Sequence, residues 1–156
     1  MESQEPTEDE LLALLCHPAE SVRRSATRAL WELWFAEKGD EGLDVFDRAG
    51  ELVDRGHYNE AETLLTRLID RYPEYAEAYN QRAIVRFRQG RYREALLDCE
   101  EVVRRKRWHF GAWHGKGLCH KAMKQYSLAV EAFTRSLEVQ PYALRRELQE
   151  CCKLLN

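Results

Sequence analysis

The chain repeats itself every thirty-four residues. Tyr79 returns as Trp113, Tyr92 as Tyr126 and Ala95 as Ala129. Looking backwards, Gly90 answers to Gly56, Tyr92 to Tyr58, and Glu94-Ala95 to Glu60-Ala61, while Pro73 and Pro141 stand two periods apart. Self-similarity at this period belongs to a supersecondary unit that cannot bury its apolar face alone and therefore stacks on copies of itself. It constrains the fold more than any other feature of the sequence, and together with the three-and-four spacing of the apolar residues traced below it predicts an all-α chain.

Taken in order, residues 1–10 read as a flexible N-terminus. Asp9-Glu10 precede Leu11, Leu12, Leu14 and Leu15, a short helix that ends near His17-Pro18 because the residue before a proline avoids the helical region. Glu20 or Ser21 opens a second helix, whose apolar positions Val22, Ala26, Ala29, Leu30, Leu33 and Trp34 recur at three and four. Trp31 and Phe35 widen that stripe, so it must be buried on a neighbouring helix or on a partner. Together these form an N-terminal helical pair over 11–37. Lys38-Gly39-Asp40-Glu41-Gly42 breaks the helical period as a linker. Three repeats follow over 43–75, 76–109 and 110–141. The first pairs helices at about 43–55 and 59–72, with Gly56 permitting the left-handed turn between them. The second pairs 75–89 with 92–107; Arg107 stands where the other units place proline, so this helix is expected to run on through Trp108. The third pairs 110–123 with 126–139. Leu144, Leu148, Cys151, Leu154 and Leu155 then mark an amphipathic capping helix over 142–155, which covers the open end of the stack.

These residue types at this period resemble the tetratricopeptide repeat. The resemblance covers about 43–156: Tyr79, Ala83, Gly90, Tyr92 and Ala95 match in the second repeat, and Trp113, Gly117, Tyr126, Ala129, Phe133 and Pro141 in the third. The first repeat departs from the pattern at its start, with Val45 and Arg48-Ala49 replacing the family's aromatic and Leu-Gly. The N-terminal pair fits no repeat frame; it resembles a helical cap, loosely a HEAT-type pair. The resemblance implies a superhelix whose first helices line a concave groove that takes peptides or helices. Groove-facing residues by repeat position are Phe46, Gly50 and Val53, then Asn80, Ile84, Phe87 and Arg88, then His114, Leu118 and Lys121. Ile84, Phe87 and Leu118 make an apolar floor, with Arg88, His114 and Lys121 as a positive rim, which suits an amphipathic or acidic-hydrophobic segment. The Asn80 amide can hold a peptide backbone. In an opposed reading the Trp31/Trp34/Phe35 helix fills the groove itself. One subfamily clamps chaperone C-terminal carboxylates through Lys, Asn and Arg; the matching positions are Phe46, Gly50, Gln81, Gly111 and Gly115, none of them a cation or Asn, so that partner is not expected.

Composition excludes other classes. No apolar run approaches the ~18 residues a bilayer demands, and the acidic start Met1-Glu-Ser-Gln-Glu-Pro is not that of a secretory signal. Five cysteines without regular spacing argue against a disulfide framework and for a reducing intracellular compartment, cytoplasmic or, as a further option, plastid. Residues 1–75 carry 18 acids and 8 bases, whereas 76–156 carry 9 acids and 16 bases. That asymmetry opens a first alternative, a structural protein self-assembling through opposite halves or through Trp31, Trp34 and Phe35 as a helix interface. The run Arg104, Arg105, Lys106, Arg107 opens a second, contact with RNA or a membrane surface, against a plainer reading as a solvated helix end. His109, His114, Cys119 and His120 lack metal-ligand spacing, since His114 and Cys119 lie five apart. No phosphate loop or nucleophile elbow is present. The expectation is a non-enzymatic protein-binding adaptor without cofactor or metal, with nucleic acid an unexpected partner and a homo-oligomer left open.

Overall fold

The computed structural model describes residues 5–142 and 145–155, all helix and turn; Leu144, expected on the capping helix, lies outside them. The elements are α1 (Glu8–Leu14), α2 (Glu20–Phe35), a 3-10 turn (Ala36–Lys38), α3 (Gly39–Asp54), α4 (Tyr58–Arg71), α5 (Ala76–Arg88), α6 (Tyr92–Arg105), α7 (Phe110–Ala122), α8 (Tyr126–Val139) and α9 (Arg145–Leu155). Three boundaries differ from the sequence reading, the third being the end of α6 taken up below. α1 opens at Glu8, inside the stretch expected to be flexible, because the Thr7 hydroxyl accepts from the Glu10 N–H at 3.3 Å while the Glu10 carboxylate accepts from the Thr7 N–H at 2.8 Å. α3 begins at Gly39, so the linker shrinks to the 3-10 turn and one glycine at φ +57°.

α3–α4, α5–α6 and α7–α8 are the three stacked pairs, and α9 packs on α8. Ala61, Ala95 and Ala129, one per second helix, are fully buried; only a methyl there lets the paired helices close. The backbone repeats as closely as the sequence. Tyr72, Lys106 and Gln140 end α4, α6 and α8 at φ/ψ of −131/74°, −129/86° and −128/77°. Thus α6 stops at Arg105 without its proline and does not run on through Trp108. The Lys106 N–H closes on the Val102 carbonyl at 2.7 Å, and the Arg105 guanidinium donates to the Pro73 carbonyl at 2.9 Å and the Tyr79 hydroxyl at 3.1 Å. Packing of the neighbouring repeat supplies the stop. The first-to-second turns also match, with Gly56 at φ 78°, Gly90 at 75° and, in the third unit, Lys124 at 59°. A lysine held left-handed costs about 1 kcal/mol relative to glycine.

α2 is the element the repeat frame did not place. It packs on the middle of α3 and on the starts of α5 and α7. Phe35 meets Phe46 of α3 edge-on at 5.2 Å and its carbonyl accepts from the Tyr75 hydroxyl before α5, while Trp34 stacks on His109 at 4.1 Å and Trp31 meets Phe110 at 5.3 Å. Its far end reaches the third repeat's exit, where the Gln140 amide donates to the Thr27 hydroxyl at 2.8 Å and Arg23 lies over the Tyr142 ring at 3.9 Å. Leu11, Leu15, Leu30 and Trp34, each 5% exposed or less, join Phe110 and Val139 in a core of their own.

Candidate functional site

An apolar cavity of about 340 Å³ lies between α5 and α7. Asn80, Ile84, Phe87 and Arg88 line it from α5, His114 and Leu118 from α7. Six of the groove residues expected from repeat position are therefore together. Three are not. Phe46 is buried between Phe35 and Tyr75, Val53 is part-buried against the first repeat's core, and Lys121 reaches Glu150 of α9 at 2.7 Å. The frame placed Phe46 correctly on α3; α2, lying outside the frame, covers it.

Trp31 forms one end of the cavity. A Cβ built on Gly111 would lie 2.6 Å from its ring, and one on Gly115 would lie 3.0 Å from the Cys99 sulfur. Glycine inside a helix costs about 1 kcal/mol against alanine. Gly111 and Gly115 trade that cost for close approach, and the pair was a legible signal for a covered surface. Cys99 and Cys119 complete the floor. The neighbouring Cys119 thiol and burial together push the Cys99 thiol up. Burial pushes His114 down, so it is neutral at pH 7.

Beneath the cavity sits a polar knot. Glu77, fully buried, accepts from Asn80 at 3.0 Å, Gln81 at 2.7 Å and His109 Nε2 at 3.0 Å. His109 Nδ1 accepts the Ala112 N–H, capping α7, so Nε2 is the nitrogen that bears the proton and donates. Asn80 lines the cavity and gives one N–H to Glu77, which orients its amide and leaves the second N–H and the carbonyl oxygen. At the mouth, the exposed Arg88 has no ion-pair partner among the described residues.

The basic run is largely engaged within the chain. Arg104 and Arg105 pair with Glu101, Arg105 also lies over the Tyr79 ring at 4.3 Å, Lys106 bridges Glu8 and Glu37 at 3.3 and 3.5 Å, and Arg107 covers Trp108. Trp34 is buried against the repeats in the same way, whereas Trp31 and Phe35 pack on Phe110 and Phe46 and stay half-buried. Among the described residues, His109, His114, Cys119 and His120 form no metal-holding group. No described helix is long and apolar enough to cross a membrane.

Two tetratricopeptide repeat models match the sequence, over residues 46–109 and 110–142. A TPR repeat-containing protein of Rhizobium etli is 35% identical over 69 residues, and Hsp70-Hsp90 organizing protein 1 of Glycine max 28% identical over 135, or 84% of this chain. The chain spans only 34% and 24% of those relatives' own lengths. Among solved structures, the first TPR of Spaghetti (RPAP3) bound to an HSP90 peptide superposes with a TM-score of 0.69 at 24% identity, covering 72% of this chain and 91% of that one. The Sgt2 TPR domain from Aspergillus fumigatus gives 0.68 at 22%, covering 72% and 77%. With the repeat models covering well over half of its length and the helix pairs in place, the chain belongs to the tetratricopeptide repeat family.

Proposed function

We propose that the chain is a non-enzymatic interaction module that binds a peptide or helical segment of a partner protein in its concave groove. The observation that carries this reading is the apolar cavity walled by Ile84, Phe87 and Leu118, with Arg88 at its mouth without an ion-pair partner among the described residues. An acidic-hydrophobic segment suits that lining.

The solved relatives include domains bound to HSP90 and HSP70 peptides. A chaperone carboxylate is not the ligand we assign here. Gly111 and Gly115 offer no side-chain donor, the Gln81 amide is bound to Glu77, and Trp31 lies against Gly111. The test is fluorescence polarisation with peptides selected from a random displayed library, beside the chaperone-type peptide SRMEEVD. Selected peptides should lose about tenfold in affinity on Leu118→Ala, weaken only shallowly with salt, and outcompete SRMEEVD. Steep salt dependence together with indifference to Leu118 would replace the groove by a charged surface.

A further inference from the structure

Resting on the groove reading, we infer that α2 turns the concave face into a two-socket receptor for an acidic amphipathic α-helix, with Trp31 as the divider between the sockets.

The first socket is the cavity between α5 and α7. The second is a wider apolar depression of about 710 Å³ between α2 and α3, lined by Phe35, Ala36, Leu43 and the stem of Arg28. Trp31 lines both, so a single side chain separates them. Leu43 at 36% and Ile84 at 43% exposure place free apolar surface in each. Two large apolar residues on one face of a helix lie roughly 6 Å apart at i, i+4 and roughly 10 Å apart at i, i+7. Such a pair can straddle one indole.

The lining also selects the ligand's backbone. One Asn80 N–H is bound to Glu77, and the Thr27 hydroxyl donates to the Arg23 carbonyl and accepts from Gln140. The second Asn80 N–H, its carbonyl oxygen and the His114 Nδ1 remain in the first socket, too few to pair every group of an extended main chain crossing both sockets. A partner that enters must satisfy its own N–H and C=O groups, and a helix does so. The rim selects its charge. Arg24, Arg28 and Arg88 line the two sockets against a single carboxylate, Glu32. Arg24 is held by Glu20 at 2.5 Å, while Arg28 and Arg88 have no ion-pair partner among the described residues. Carboxylates beside the apolar anchors answer those two guanidiniums.

The probes are random peptides selected on the full chain by phage display. They are then followed by circular dichroism and by affinity for Ile84→Asp, Leu43→Asp and Arg88→Glu, whose sites are exposed and whose folding is checked by thermal melting. The expected peptides gain helix on binding, carry two large apolar residues four or seven apart among acids, and lose about tenfold or more with either aspartate variant. Peptides that bind extended, or that lose affinity with Ile84→Asp and ignore Leu43→Asp, overturn the two-socket inference while leaving the groove reading intact. Peptides indifferent to both aspartates, or no enrichment at all, overturn both.

Discussion

The second and third repeats share one backbone and hold their neighbours by different chemistry. α4, α5 and α6 are joined by a ladder of charge. Asp98, 2% exposed, accepts from Arg82 at 2.8 and 3.0 Å and from Arg86 at 2.9 Å, while Glu62 takes Arg86 at 2.8 Å and Arg91 at 2.5 Å. Among the described residues α7 has no buried arginine ladder of that kind: its lysines reach Glu100 of α6 at 3.6 Å and Glu150 of α9 at 2.7 Å from part-exposed positions. Three glycines bring it close to Trp31, Cys99 and Phe133, the Phe133 ring standing where a Gly117 Cβ would go. Charge pairs fix orientation through geometry and demand full satisfaction; bare glycine faces fix distance through shape. The family frame tolerates both because it prescribes where helices lie, not what binds them together.

The largest effect that would separate the two halves is loss of the buried carboxylate. Asp98→Ala leaves Arg82 and Arg86 without their shared partner and should cost about 3–5 kcal/mol by denaturant unfolding. Its counterpart, Gly117→Ala, gains about 1 kcal/mol in helix propensity and loses about 3 kcal/mol to overpacking on Phe133, for a net loss near 2 kcal/mol. A Gly117→Ala variant as stable as the parent would show that the close approach carries no weight, and the comparison would collapse.

Acid sharpens the contrast. Burial raises Glu62, but its bonds to Arg91 and Arg86 outweigh that and hold it below its usual 4.5. Its contribution is present above pH 4.5 and is lost as pH falls through the lower folded value. His114, on the glycine side, is held below its usual 6.5 by burial, so the unfolded chain takes up the proton first and stability begins to fall as pH drops below 6.5. Chemical unfolding across pH should therefore weaken in two stages. His114→Gln should remove the upper stage and Glu62→Gln blunt the lower one; a single stage unaffected by His114→Gln would refute the assignment. The smallest effect concerns the turns. Lys124→Gly should restore what Gly56 and Gly90 already provide and raise stability by about 1 kcal/mol, read as a shift in midpoint.

The spacing of Gly56, Gly90, Tyr92, Ala95, Tyr126 and Ala129 was enough to read three helix pairs and their turns, because each residue type is demanded by a local constraint. The end of α6 was misread because proline is only one means of stopping a helix; here Arg105, reaching back to Pro73 and Tyr79, is another. Ile84, Phe87, Arg88, His114 and Leu118 were legible as lining by position alone. Phe46 was not, since its cover comes from Phe35, and nothing between residues 11 and 37 states which surface its apolar stripe will meet. The pointer lay elsewhere, in Gly111, Gly115 and Gly117: three costly residues inside one helix, none needed for a turn. The charge asymmetry of the halves was visible, and part of it is answered within the chain, by Glu8 with Lys106 and Glu62 with Arg86 and Arg91.

The strip of chain formed by α1 and α2 has a consequence for how the molecule comes apart. A bare stack of repeats makes contacts only between sequence neighbours, so its ends can fray while its middle persists. Here Lys106 holds Glu8 across 98 residues and Gln140 holds Thr27 across 113. These bonds close the linear array into a loop. The last repeat cannot peel away without releasing the first helices, and the first helices cannot leave without exposing Trp34 and Phe110. Such closure raises the contact order and slows folding, because its entropy must be met before the distant contacts form. In return the array melts as one unit rather than from its tips.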